Sequence, residues 1–319
     1  MGGRTTSGAD TPMAGESAAA VAFDAVSRRF GDVRAVDGVS FDIADGEFFS
    51  MLGPSGSGKT TTLRMIMRIL HPDSGQVEVL GEQRLGAASD RVGYLPEERG
   101  LYKQMLVRDI LLYYAELKGL RRGGAAVDSW LAKLDLSAWA RKPVSALSKG
   151  MAQKVQFIAA VVAQPELVLL DEPFSGLDPV NTEVLRAAIL ELRQRGVTVI
   201  FSTHDMAVAE KMCDAIFMIY RGCKVLDGTL ESIQNRHGAD TIHLRLADGA
   251  APPADLPGVL SSSDFGRCRE LRLAPGADPQ RVLEALVGQA RVLQFELAQP
   301  SLHDIFVRIA QPNGDPDHD

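Results

Sequence analysis

The segment EFFSMLGPSGSGKTTTLRMIMRIL, residues 47–70, constrains the fold more tightly than any other part of the chain. A continuous apolar stretch, EFFSML (47–52), leads into a glycine-rich turn, GPSGSGKT (53–60). After Lys59 the apolar positions Leu63, Ile66, Met67 and Leu70 follow helical spacing. A buried strand, a glycine turn and a helix in that order are the context required by the pattern G-x-x-x-x-G-K-[ST]. Glycine lets successive backbone N–H groups turn inward around phosphate oxygens, a concavity that side chains would block. The helix that follows points its positive end at the same anion. Phosphate binding is therefore assigned to Gly53, Pro54, Ser55, Gly56, Ser57, Gly58, Lys59, Thr60 and the adjoining Thr61. In this reading Lys59 reaches the β- and γ-phosphates and Thr60 ligates Mg²⁺. His71-Pro72 is expected to end the helix, because proline disfavours the α region in the residue before it.

Two acids end a second apolar strand, LVLLDEP (167–173). Charges at the end of a buried strand are costly unless a cation meets them. Taken alone, the pair reads equally well as a strand-end capping cluster. Beside a phosphate loop it reads as a metal ligand, Asp171, and a general base for an attacking water, Glu172. His204 ends a third apolar strand, VTVIFST (197–203), which is expected to lie beside the one carrying Asp171 and to bring the imidazole within reach of a γ-phosphate.

The rest of the chain alternates in the same way. VAFDAVSRRF (21–30), VSFDI (39–43) and QVEVL (76–80) read as strands, and AIFMIY follows a helix near 205–213. Apolar strands alternating with helices predict an α/β fold with a parallel sheet covered on both faces. Residues 101–165 form a helical block within it, containing VRDILLYYAEL, VDSWLAKLDL and KGMAQKVQFIAAVVAQ. Past residue 236 the texture changes to strand, helix, strand, helix, predicting a small α+β accessory domain over 236–310. In its last helix Leu302, Ile305, Phe306 and Ile309 share one face, and Ser301 with Asp304 resembles an N-terminal capping arrangement. Residues 1–20 and 311–319 are small and polar and are expected to be disordered tails.

Composition excludes several classes. The net charge of −7 argues against a nucleic-acid binder held by bulk electrostatics. No run of eighteen apolar residues occurs, so any membrane role is expected to pass through a partner. The three cysteines lie far apart with no CxxC or His/Cys cluster, which makes zinc and redox readings weak and leaves three reduced thiols as the expectation.

The order of these motifs resembles the ATP-binding subunit of ABC transporters over residues 21–235. The decisive piece is LSKGMAQKVQ (147–156), about twenty residues before Asp171, which is similar to the family signature Leu-Ser-Gly-Gly-Gln at the start of a helix. The resemblance implies a P-loop NTPase of ABC type: a parallel core sheet, an N-terminal antiparallel β subdomain and a helical signature subdomain. It implies an ATP hydrolase with ATP and Mg²⁺ as ligands, in which two subunits, identical or related, close head-to-tail around two ATPs. Ser148, Lys149 and Gly150 would then contact the γ-phosphate held by the opposite subunit, and Asp178 of SGLDP (175–179) would lie at the seam. Phe30 matches the aromatic that stacks on adenine, its other reading being a core phenylalanine. The resemblance also implies an integral membrane permease as partner, no nucleic acid, and a cytoplasmic location on the inner face of the membrane.

Two departures stand out. Lys149 and Met151 replace a glycine and the glutamine of the signature. In VGYLPEERGLY (92–102), Glu97 stands where the family places a Mg²⁺-ligating glutamine. A carboxylate oxygen serves a hard cation at least as well as an amide oxygen but gives up the NH₂ donor. Alternatively, Glu97 pairs with Arg99 on the loop surface. YLPEERGLY, LSKGM and SLHDIF together look like bacterial subunits of the sodium-efflux and drug-export type with an extra C-terminal domain. Two other readings stay open: a soluble ABC ATPase acting on ribosomes or DNA, and a nucleotide-gated regulatory module.

Overall fold

The computed structural model describes residues 19–82, 90–98, 100–237, 241–247, 251–253, 255–264, 268–274 and 276–310. The expected tails lie outside them, except that Ala19 and Ala20 open the first strand.

Strands β1 (Ala19–Phe30), β2 (Val33–Ala44) and β4 (Ser74–Val79) form an antiparallel sheet in the order β2-β1-β4. A second sheet has the order β5-β6-β7-β3-β8-β9, built from β3 (Phe48–Leu52), β5 (Val92–Leu95), β6 (Leu167–Asp171), β7 (Thr198–Thr203), β8 (Ala215–Tyr220) and β9 (Cys223–Gly228). Its first five strands are parallel and β9 returns antiparallel along the edge. The continuous apolar runs have a simple cause: alternate side chains feed two cores on opposite faces. Phe48, Val168, Leu170 and Phe201 enter one core, together with the helical block. Phe49, Leu167, Leu169 and Ile200 enter the other, together with the antiparallel sheet and α1 (Lys59–Ile66).

The helical block consists of α2 (Val107–Leu117), α3 (Gly124–Lys133) and α4 (Lys149–Val161). It closes around Trp130 and Phe157, whose rings meet edge to face at 5.8 Å. Helices α5 (Pro179–Gln194) and α6 (Met206–Met212) flank β7 in sequence, and α7 (Leu230–His237) follows β9.

The helix predicted to run to His71 stops at Ile66. Arg68 takes a left-handed φ of 54°, and its guanidinium donates to the Val77 carbonyl on β4. A tertiary hydrogen bond therefore turns the chain before Pro72 has any effect.

At the C-terminal end, β10 (Thr241–Leu246), β11 (Val259–Asp264), β12 (Arg269–Leu273) and β13 (Val292–Ala298) form an antiparallel sheet in the order β11-β12-β10-β13. Helix α8 (Pro279–Val287) seats Val282 and Leu286 on Ile242, Leu244, Leu271 and Leu273. The last helix, α9 (Leu302–Ala310), does not join that core. Its Leu302 and Ile305 are fully buried among Leu52, Ala209, Ile216, Met218, Leu226 and Ile233 of the larger unit. Each such side chain contributes roughly 1.5–3 kcal/mol when fully buried, so α9 holds the C-terminal sheet to the larger unit.

Candidate functional site

The carboxyl ends of parallel strands are where open α/β sheets bind ligands. Here the glycine turn leaves β3, the acids close β6 and His204 follows β7, three strands adjacent in the sheet. Asp171 stands opposite Ser202 in the β6–β7 register.

In the glycine turn, Gly53 has φ 152° and Gly58 has φ 117°. A Cβ at Gly53 would collide with the Ile219 carbonyl oxygen, and one at Gly58 with the Ala35 carbonyl oxygen. The loop is thus packed down on β2 and β8 at these two positions, with no room for a side chain at either. Lys59 spans it from the first turn of α1, donating through Nζ to the Gly53 carbonyl at 2.6 Å and the Pro54 carbonyl at 3.1 Å. Its ammonium also lies 3.6 Å from Glu172 Oε1. A cavity of about 350 Å³ opens beside the loop, lined by Ser55, Gly56, Lys59, Thr60, Glu97 and Glu172 among others.

Asp171 is fully buried. Its Oδ1 accepts from the Ser202 hydroxyl at 2.5 Å, while its Oδ2 is buried with no hydrogen-bond partner. Such an orphaned acceptor is costly unless a cation or a donor meets it. Thr60 and Glu97 on the adjacent cavity wall are also hard oxygen donors, so the donor set fits Mg²⁺. Among the described residues no cluster of three or more His, Cys, Asp or Glu is placed to hold a metal. Nucleotide phosphates and water would have to complete the coordination, as is usual for this ion.

Glu172 has a left-handed φ of 49°, a strained conformation for a non-glycine residue. It is held there by its amide, which donates to the Ser202 carbonyl at 3.2 Å and the Ser202 hydroxyl oxygen at 3.1 Å. Its carboxylate meets His204, whose Nδ1 lies 3.0 Å from both carboxylate oxygens. Ser202 therefore fixes both acids, and sequence reasoning passed over it. The available signal was a lone serine in an apolar strand, in register with a functional aspartate.

Tyr94, on β5, lies in the field of Asp171 and Glu97. Burial first, and then the Asp171 charge, push its phenol up to about 12 against the opposing hydrogen bond from Arg64.

The signature residues are gathered elsewhere. Ser148 caps α4, its hydroxyl oxygen accepting from the Met151 amide at 3.3 Å. The end of the Lys149 side chain lies against Gly176, and Gly150 lies against Leu177. Asp178 caps α5 and accepts from the Asn181 amide at 3.0 Å, and the Asn181 bonds hold its carboxyl below the usual range. None of these residues lines the phosphate cavity. Phe30 does not line it either. It is 46% exposed with the Arg28 guanidinium 4.9 Å above its ring, which removes the reading as a core residue. Glu97 lines the cavity, while the alternative partner Arg99 lies outside the described residues.

Three buried polar side chains of α4 tie it to its surroundings. Gln153 Nε2 donates to the Pro173 carbonyl at 3.2 Å, Lys154 Nζ to the Leu134 carbonyl at 2.8 Å and Gln156 Nε2 to the Glu98 carbonyl at 3.3 Å. Where α4 meets the segment after β5, an apolar groove of about 290 Å³ is lined by Met67, Ile69, Tyr94, Leu101, Leu117 and Ala159 among others. Ile69 and Leu117 are more than half exposed at its rim.

Comparison with known proteins gives consistent matches. The profile of the ABC transporter family matches residues 36–175. That of the DrrA1-3-like ATP-binding protein C-terminal domain matches residues 228–310. The uncharacterized ABC transporter ATP-binding protein YhaQ of Bacillus subtilis is 40% identical over 286 residues, covering 89% of this chain and 96% of its own. The Nod factor export ATP-binding protein I of Burkholderia orbicola is 32% identical over 299 residues, covering 92% and 97%. A solved ATP-binding subunit of an ABC transporter superposes with a TM-score of 0.64 at 28% identity, covering 68% of this chain and 93% of that one.

Proposed function

The chain belongs to the ABC transporter family of ATP-binding proteins, and on that premise we propose that it hydrolyses ATP between two subunits to drive a separate membrane permease in the export direction. The observation that carries this reading is the convergence of Lys59, Asp171, Glu172 and His204 at one set of strand ends through Ser202. Lys59 and the loop amides would hold the triphosphate, and Glu172 would take the proton of the attacking water. His204 would orient Glu172 and meet the γ-phosphate. Bound Mg²⁺, held through Asp171, Thr60 and Glu97, would neutralise the charge that develops on the phosphates.

Ser148, Lys149, Gly150 and Asp178 sit apart from the cavity of their own chain, which supports a site completed by a second copy or a related subunit. Adenine stacking by Phe30 accords with its exposure. The groove between α4 and the segment after Glu97, apolar and partly exposed at Ile69 and Leu117, supports an apolar contact with a permease. The export direction is supported by relatives named for Nod factor export. Residues 21–235 then serve as the ATPase domain and 236–310 as an accessory domain.

Purification from detergent-solubilised native membranes tests the transport half of this reading. Mass spectrometry is expected to find a polytopic membrane protein in stoichiometric amount; ribosomal or DNA-repair partners without one would overturn it.

Glu97→Gln is expected to keep ATP hydrolysis of the same order as the parent. The amide oxygen retains the metal contact, while the negative charge is lost and one acceptor oxygen becomes an NH₂ donor. A steady-state phosphate-release assay checks this, and complete loss of turnover would refute the metal-ligand role given to Glu97.

A further inference from the structure

His204 is tethered on both sides. The strand β7 ends at Thr203, and Asp205 caps α6, its carboxylate accepting from the Val208 amide at 3.2 Å while its own amide donates to the Thr203 hydroxyl oxygen at 3.0 Å. The imidazole itself is largely exposed, so packing around the ring does not fix its position. The placement of α6 does. This helix has seven residues, too few to hold its place by itself.

One side of α6 sends Met212 into the core of the larger sheet, and α9 holds the other. Leu302 and Ile305 pack on Ala209, and Phe306 meets Tyr220 edge to face at 5.5 Å. The Leu302 amide, an unsatisfied donor in the first turn of α9, donates to Glu210 Oε1 on α6 at 2.6 Å. The same cluster includes Leu52, the residue before Gly53, so α9 underlies the start of the phosphate loop as well. Only Gln299, Pro300 and Ser301 separate α9 from β13, and the Pro300 carbonyl accepts from Gln234 Nε2 at 3.1 Å. A shift of the C-terminal sheet would therefore reach α9 through a short, pinned connection.

We propose that Glu210 is a positioning residue for ATP hydrolysis: through its bond to the Leu302 amide, α9 fixes α6 and so holds His204 against Glu172, making turnover answer to the C-terminal sheet. This rests on the reading of Glu172 and His204 given above. Glu210 is not among the residues lining the cavity beside the glycine loop, and its carboxylate is engaged by the Leu302 amide. Its contribution is to kcat, by keeping the imidazole where it meets the carboxylate. Nucleotide affinity, set by the loop and Lys59, is left alone.

The test uses the full chain in steady-state Mg-ATP hydrolysis, with three variants. Glu210→Ala is expected to lower kcat about tenfold, the scale of one lost charge-assisted hydrogen bond, with KM for ATP unchanged and the thermal midpoint close to the parent. Glu210→Gln keeps an acceptor oxygen for the Leu302 amide and is expected to restore most of the rate. Glu172→Gln serves as the control on the underlying site. If Glu172→Gln abolishes turnover but Glu210→Ala leaves kcat unchanged, the α9 latch is wrong and the site reading survives. If kcat and KM worsen together, or if Glu210→Gln fails to rescue, Glu210 acts on folding or nucleotide binding and the proposal is likewise overturned. If Glu172→Gln turns over like the parent, it is the site reading that fails.

Discussion

Glu172→Gln is expected to slow ATP turnover by at least about a hundredfold, the range supplied by a positioned general base, while leaving ATP bound. The amide has the shape of the carboxylate, and the backbone strain at position 172 is set by Ser202 and is the same for either side chain. The fold should therefore be unaffected. What changes is the proton acceptor. Removing the negative charge 3.6 Å from the Lys59 ammonium also removes repulsion against the triphosphate. Nucleotide should bind at least as tightly as in the parent and then fail to leave by hydrolysis. Size-exclusion chromatography with ATP is expected to show an accumulated dimer in the variant and little in the parent. A variant that turns over like the parent would remove Glu172 from the general-base role. A parent already inert under the same conditions would favour a nucleotide-gated regulatory module.

Lys59→Ala is expected to have the second-largest effect, weakening ATP binding at least about tenfold through loss of one charge-assisted contact, on the scale of 1.5–3 kcal/mol. Two consequences act together. The triphosphate loses its cation, and the Gly53 and Pro54 carbonyls lose the donor that spans the loop. Glu172, only 11% exposed, would also be left without its nearest positive charge. Isothermal titration with ATP and Mg²⁺ measures the first consequence, and unchanged affinity would show that the loop amides alone hold the phosphates. A thermal melt without nucleotide measures the second, with a lowered midpoint expected.

The parts of this architecture that could be read from the sequence are those whose side chains have no choice of partner. Strands buried on both faces leave continuous apolar runs, so EFFSML, LVLLDEP and VTVIFST were legible together with the residues at their ends. The glycine turn was legible because backbone geometry, rather than packing, dictates its composition. Where a tertiary contact made the decision, local pattern failed. The end of α1 is set by Arg68 reaching the Val77 carbonyl, and nothing near residue 68 in the sequence announces that bond. Ser202 was missed because a serine in a strand is unremarkable until its register with Asp171 is known. The apolar face of α9 was visible, but a periodic face says only that something covers it. That the cover is α6 and β8, and not the neighbouring C-terminal sheet, required the three-dimensional arrangement. Strands β9 and β11 and helix α7 left only weak traces, because CKVLDG, VLSSSD and LESIQNRH contain few buried positions each.

The three polar ties of α4 all end on carbonyl oxygens, those of Glu98, Leu134 and Pro173, and none ends on a side chain. Every residue type carries that oxygen, so the linkage makes no demand on what occupies positions 98, 134 and 173. Packing constrains Leu134 and Pro173, which are buried, but at exposed Glu98 the bond leaves the side chain free to vary. A substitution at Glu98 can therefore change the outer surface of that loop while the bond from Gln156 keeps its geometry.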